Sequence, residues 1–300
     1  MTAPTTATDP FTLDRTLVRR SFDRASRGYD RSAVLQGRVR ELLLQRLELV
    51  RIAPAVIVDA GAGTGHASRE LTRRFGKARV IALDVSPAML RQAARQQRLW
   101  HRFDRLCADA ARLPLADASV DLIYSNLMLQ WCDDLDAVFA EVRRVLRPHG
   151  LFTFSTFGPD TLIELRRAWR AADGLVHVNR FIDMHDIGDA LVRAGLAEPV
   201  LDVERFTLTY DDALGLMRDL KAIGAHNVTA GRPAGLTGRG RLARMREAYE
   251  TQRRDGKLPA TYEVVFGQAW GRDAALLRAH GIAGAEARVP VTSIGKRTPR

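Results

Sequence analysis

Val56-Ile57-Val58-Asp59-Ala60-Gly61-Ala62-Gly63-Thr64-Gly65 reads as a buried strand that runs into a glycine-rich turn and opens a helix. Three glycines at alternate positions let a backbone approach a ligand closely. His66-Ala67-Ser68-Arg69-Glu70-Leu71 starts the helix, whose free N–H groups and dipole favour an anionic or polar group at the turn. The spacing is G-x-G-x-G, and the dinucleotide fingerprint G-x-G-x-x-G would need glycine where His66 stands. Such turns also serve tight packing alone, so the rest of the chain must decide what this one holds.

Downstream, strands and helices alternate. Arg79–Leu83 is a short apolar strand ending at Asp84, after which Ser86 caps a helix with Pro87 in its first turn. Arg105–Ala108 is a third strand, closed by Asp109. Val120–Tyr124 is a fourth, ending at Ser125-Asn126. A helix with Leu135, Val138, Phe139, Val142 and Val145 on one face stops before Pro148, and Leu151–Ser155 is a fifth strand. This alternation predicts a parallel sheet with helices on both faces. Helices are expected over 161–172, 184–194, 213–222 and 242–253, and strands over 204–210 and 261–270, which brings the sheet to seven. Upstream, apolar residues recur at helical spacing from Leu17 to Leu47, broken at Gly28-Tyr29-Asp30, so two helices cover one side.

The formal charge of +11 suits an acidic partner, although Arg is scattered along helix faces that are ordinarily just solvated. Cys107 and Cys132 have neither C-x-x-C spacing nor clustered histidines, so no metal site is expected. No apolar run is long enough to span a bilayer, and residues 1–10 lack the regions of a secretory signal. A cytoplasmic protein without a membrane partner is expected.

Ligands of open parallel sheets lie over the carboxyl ends of the strands. Strand one delivers Gly61, Gly63 and Gly65 there, and strand two delivers Asp84, about 20 residues on, the separation at which an acid meets ribose hydroxyls. Strands three and four deliver Asp109 and Ser125-Asn126. A lone strand-end Asp is ordinarily a cap or turn former; several acids and glycines in this order on one edge are not.

At these residues the chain resembles the class I S-adenosylmethionine-dependent methyltransferases, over roughly residues 50–156. The resemblance implies a Rossmann-like α/β fold with a mostly parallel seven-stranded sheet, an N-terminal helical lid and a helical insertion after strand five. It implies S-adenosyl-L-methionine as cofactor, with Gly61, Gly63 and Gly65 carrying its amino-acid part and Asp59 anchoring the turn and the charged end. It also implies Asp84 on the ribose, Asp109 and Ala110 at the adenine, and Ser125 beside them. Carboxylates suit a cationic cofactor with an ammonium and vicinal hydroxyls. On this reading residues 1–50 are a flexible tail and lid helices, 51–270 the methyltransferase domain with a substrate-side insertion at about 157–200, and 271–300 a flexible tail.

A narrower resemblance rests on Ser125-Asn126-Leu127-Met128-Leu129-Gln130-Trp131-Cys132, similar to the SN-x-x-x-QWC segment of malonyl-acyl-carrier-protein O-methyltransferases of biotin synthesis. Phe22–Tyr29, His177–Phe181, Asp211–Leu214, Leu220–Ala225, Gly231-Arg232 and Pro259–Tyr262 extend it. It implies methyl transfer to the free carboxylate of a malonyl thioester on acyl carrier protein or coenzyme A, by a monomer. A carboxyl that titrates near about 4 is already ionised at neutral pH, so no general base is required. The task is alignment of oxygen, methyl carbon and sulfur in a sheltered site. Arg180 is the leading carboxylate anchor, with Tyr29 as hydroxyl donor from the lid, Asn126 near the methyl, and Trp131 and Phe22 as walls. His177 could replace one of these donors and need not be catalytic. Arg166, Arg167, Lys221, Arg232 and Arg239 are candidates for an Arg-rich rim that steers the acidic carrier.

Two other readings share features. A methyltransferase-fold arginine hydroxylase of respiratory complex I assembly has parts of the Leu220–Gly224 region, but not the QWC segment. A nucleic-acid-modifying enzyme would suit the charge, yet strand four lacks a proline-aromatic motif and no aromatic stacking platform is visible, so no nucleic acid is expected.

Overall fold

The computed structural model describes residues 9, 11–97, 102–232, 235 and 237–272. The expected terminal tails lie almost wholly outside the described residues.

Seven strands form one sheet: β1 (Val56–Ala60), β2 (Arg79–Asp84), β3 (Asp104–Cys107), β4 (Val120–Asn126), β5 (Leu146–Phe157), β6 (Ala197–Tyr210) and β7 (Leu258–Trp270), in the order β3-β2-β1-β4-β5-β7-β6. The first five pair in parallel, and β7 runs antiparallel between β5 and β6. The order reverses between β1 and β4, the switch point at which open sheets hold ligands.

Strand alternation divides the core. Ile57, Val80, Ala82, Leu122 and Tyr124 face one cluster, with Leu35, Val39, Leu43 and Leu47 of α3 (Val34–Glu48) and Leu71 of α4 (His66–Arg74). Val58, Ile81, Leu83 and Ile123 face the other, with Val138, Phe139 and Val142 of α6 (Leu135–Val145) and Ile187 and Leu191 of α8 (Met184–Arg193). Val120 and Leu122 belong to opposite clusters because the register shifts between them. Helix α5 (Pro87–Ala93) starts as the sequence predicts: Ser86 Oγ accepts from Met89 N at 3.1 Å.

α7 (Ile163–Ala172) and α8 follow β5; α9 (Ala213–Ala222) and α10 (Arg239–Glu250) lie between β6 and β7. Three strands outrun their expected bounds. β5 takes in Arg147-Pro148-His149-Gly150, with His149 at φ 62°, and β6 and β7 pair along most of their length, a ladder that apolar patterning alone underestimates. Upstream, α1 (Arg15–Ala25), a single turn α2 (Tyr29–Ser32) and α3 replace the two expected helices. Asp14 caps α1, accepting from Thr16 N and Leu17 N.

Candidate active site

The glycine turn is locked before any ligand enters. Gly61 N and Ala62 N both donate to Leu83 O, at 2.8 and 2.9 Å, and Gly61 (φ 77°) and Gly63 (φ 54°) are left-handed. A Cβ on Gly61 would lie 2.4 Å from Met128 Cγ, so only glycine fits under that side chain. Gly63 N donates to Asp84 Oδ2 at 2.9 Å, and Ser86 N to Asp84 Oδ1 at 2.8 Å. One bond per oxygen leaves lone pairs for two hydroxyls. Burial pushes the Asp84 carboxyl up to about 6 despite those bonds. Asp59, 1% exposed, accepts from Ser68 Oγ at 2.5 Å, and burial pushes it up to about 7.

Two clefts flank the turn. The first is lined by Asp84, Val85, Met89, Asp109, Ala110, Met128, Val138 and the edge-on pair Phe22–Trp131, whose ring centroids are 5.1 Å apart. It has two acids over a mostly apolar wall, as a nucleoside requires. The second is lined by Asp59, Ala62, Thr64, His66, Gln36, Gly37 and Arg40, and so carries both a carboxylate and a guanidinium. Tyr29, Gly61, Gly63 and Asn126 line both. Asn126 is fixed there: its Nδ2 donates to Gln36 O at 3.3 Å, and its Oδ1 accepts from Ser155 Oγ at 3.0 Å. Burial, then the Asp84 charge, raise the Tyr29 phenol, which stays protonated and can donate.

The N-terminal helices are pinned over these clefts by contacts behind each of three strands. Arg15 Nη1 meets Asp109 Oδ2 at 2.9 Å behind β3. Asp23 Oδ1 accepts from Ser86 Oγ at 2.6 Å behind β2. Behind β1, Asp30 accepts from Thr64 Oγ1 at 2.6 Å and pairs with His66 Nε2 at 3.1 Å; the His66 bond holds the Asp30 carboxyl below its usual range.

Three expectations, for Arg180, Ser125 and Gly65, are corrected. Arg180 is exposed and lies not in the two clefts but in a third compartment, with Phe11, Leu13, Gln130, Thr156 and Phe157; its guanidinium sits 5.9 Å from the Phe11 ring centroid. That compartment adjoins the first cleft at Cys132 and Asp133, so Arg180 is not beside Tyr29 and Asn126. Ser125 is fully buried inside β4 and lines none of the three. Gly65 serves packing: a Cβ there would be 2.7 Å from Ala93 Cβ, where α4 starts against α5. His177 stacks on Trp169 at 3.7 Å and bonds Asp173 at 2.8 Å, a structural role. Asp59, Gly61, Gly63, Asp84, Asp109, Ala110, Tyr29, Asn126, Trp131 and Phe22 do converge.

A methyltransferase domain model matches residues 58–154. The malonyl-[acyl-carrier protein] O-methyltransferase of Methylovorus sp. is 55% identical over 291 residues, covering 95% of this chain and 98% of that protein. The protein of the same name from Laribacter hongkongensis is 55% identical over 88% of this chain and 91% of its own. The chain belongs to the malonyl-acyl-carrier-protein O-methyltransferase family. Its fold is the class I methyltransferase fold: the solved YcgJ protein of Bacillus subtilis superposes with a TM-score of 0.55 at 19% identity, over 77% of this chain and 98% of that one. The hydroxylase and nucleic-acid readings gain no support from these relatives.

Methyltransferase chemistry makes Arg40 the residue of note that pattern reading missed. It makes no side-chain hydrogen bond or ion pair among the described residues, and its backbone carbonyl accepts from Tyr124 Oη at 3.2 Å. Tyr124 lies in register with Asp59, so Arg40 stands one strand pair from the buried acid. The signal was Gln36-Gly37 followed by Arg40, a polar stripe one turn long on a helix whose other face, Leu35, Val39 and Leu43, is core.

Proposed function

We propose that the chain transfers the methyl group of S-adenosyl-L-methionine to the free carboxylate of a malonyl thioester on acyl carrier protein, an early step of biotin synthesis. The observation that carries this reading is the meeting of an acid-bearing apolar cleft and a zwitterion-lined cleft at Tyr29, Gly61, Gly63 and Asn126. A molecule with a nucleoside at one end and an amino acid at the other has its sulfur at that junction.

Asp84 would accept from the ribose hydroxyls and Asp109 from the adenine amino group, with Ala110 and Met128 against the ring. Asp59 would face the ammonium and Arg40 the carboxylate of the amino-acid end. When bound, the sulfonium supplies an electrophilic methyl carbon. An acceptor carboxylate held in line would take that methyl as the carbon–sulfur bond breaks, leaving the methyl ester and S-adenosylhomocysteine, so no residue of the chain would have to move a proton. Charge is neutralised in the step, so an apolar, water-poor site favours it, and an acceptor held by neutral donors is not overstabilised in its ground state. Tyr29 and Asn126 are such donors, and Phe22 and Trp131 exclude water. Arg180, in the third compartment, attracts the anionic acceptor at a distance from the reacting atoms.

Purified chain with labelled S-adenosylmethionine is offered malonyl carrier protein, malonyl-CoA and RNA. Base-labile label on the carrier protein is expected. Label on RNA, or on no malonyl thioester, would overturn the proposal.

A further inference from the structure

Three exposed cations from separate parts of the fold lie together without acidic partners among the described residues: Arg24 on α1, Lys221 on α9 and Arg232 in the following loop. The join is tight. His226 Nε2 and Ser21 Oγ are 2.9 Å apart, and a Cβ on Gly224 (φ 75°) would lie 3.2 Å from Ser21 O, so α1 rests directly on the turn that ends α9. Arg24 lies one turn beyond Ser21 on α1. Lys221 O accepts from Gly224 N at 3.1 Å, and Arg232 N donates to Thr229 O at 3.2 Å. The crowding is felt at His226, which is lowered by burial and then by Arg24, Lys221 and Arg232 in turn. Like charges gathered around one side chain repel, and an acidic surface would relieve the repulsion.

This surface adjoins the third compartment. Leu13 bridges to Thr229, Ala230 N donates to Thr12 O at 2.8 Å, and Asp14 N to Val228 O at 3.0 Å. Phe11, Thr12 and Leu13 line that compartment with Arg180. Both sets have a guanidinium bonded to a backbone carbonyl, Arg232 to Thr229 O and Arg166 to Pro159 O, but the rival set on α7, Arg166, Arg167 and Arg170, also has the acids Asp160 and Glu164 acting on Arg166.

We propose that Arg24, Lys221 and Arg232 form the surface on which the acidic carrier protein docks, its acyl arm passing into the compartment lined by Phe11, Leu13 and Arg180. The inference rests on the carrier-protein reading above. Arg24 belongs to the helices that cover the site, whereas Lys221 and Arg232 belong to the sheet-bearing body, so one docked carrier bridges the two.

The test is fluorescence anisotropy of labelled malonyl carrier protein on the full chain, for wild type, R24E/K221E/R232E and R167E/R170E. The first variant is expected to weaken binding at least about tenfold and to flatten its salt dependence; the second changes it by less than about twofold. Equal losses, or a larger loss in the second variant, would overturn the proposal. The pair K221A/R232A, which leaves α1 untouched, is expected to give an intermediate loss, and unchanged affinity there counts against docking. Methylation of malonyl-CoA by the first variant should match wild type; a parallel loss would mean that the surface holds phosphates of the arm, not the carrier. Wild type that binds the carrier but methylates no malonyl thioester would sink the proposed reaction and leave the docking surface standing.

Discussion

Arg15 Nη1 stands 2.9 Å from Asp109 Oδ2, tying the first turn of the N-terminal helix to the acid that closes β3. Both side chains are well exposed, at 59% and 39%, so the pair is worth no more than about 1 kcal/mol. Arg15→Ala is therefore expected to speed S-adenosylhomocysteine dissociation by no more than about fivefold, read by stopped-flow. A hundredfold effect would show that Arg15 contacts the ligand itself.

Arg40 separates the two ends of the ligand. Arg40→Gln should weaken S-adenosylhomocysteine by about tenfold or more in calorimetry, the value of one charge-assisted pair, and leave 5′-methylthioadenosine, which lacks the amino-acid end, unchanged. Equal loss for both ligands would place Arg40 elsewhere.

Asp59 is held for binding at a cost in stability. Its folded-state carboxyl, at about 7, lies above the ordinary aspartate value of 3.8, so the folded chain binds the proton more tightly and stability falls as pH rises between those values. Asp59→Asn should stabilise the ligand-free chain at about pH 8 by about 1 kcal/mol or more, read as a higher melting temperature, and give no gain near about pH 4. The same variant should lose cofactor affinity. A lower melting temperature at the higher pH would contradict the burial argument.

Cofactor binding should itself depend on pH. Asp84 at about 6 and Asp59 at about 7 must both be ionised to accept from hydroxyls and to face an ammonium. Affinity is expected to rise from about pH 5.5 to about pH 8, with protons released on binding in the middle of that range. A flat profile in calorimetry would count against both assignments.

Arg180 and Tyr29 should divide kinetically. Arg180→Ala is expected to raise KM for the malonyl thioester and spare kcat, because the side chain lies outside the two clefts. Tyr29→Phe removes a donor from their junction and should lower kcat by about tenfold or more. The reverse pattern would restore Arg180 as the carboxylate anchor.

What pattern reading could see follows from physics confined to short stretches. Strand ends are marked by local apolar runs, so Asp59, Gly61, Gly63, Asp84 and Asp109 were legible together with the sheet that aligns them. Ser125 was misplaced because alternation along β4 puts it on the buried face, while its neighbour Asn126 reaches the ligand edge. Arg180 was misplaced because the path of the chain after β5 is set by long-range contacts, such as Asn227 Nδ2 on Val176 O at 2.6 Å, that no local pattern carries. The same holds for the union of Arg24 with Arg232, separated by most of the chain.

The most direct test of the account is the structure of the chain with S-adenosylhomocysteine. The sulfur is expected between Tyr29 and Asn126, adenosine toward Asp84 and Asp109, and the amino-acid end toward Asp59 and Arg40. A ligand lying in the opposite direction, or wholly within the cleft of Phe22 and Trp131, would contradict it.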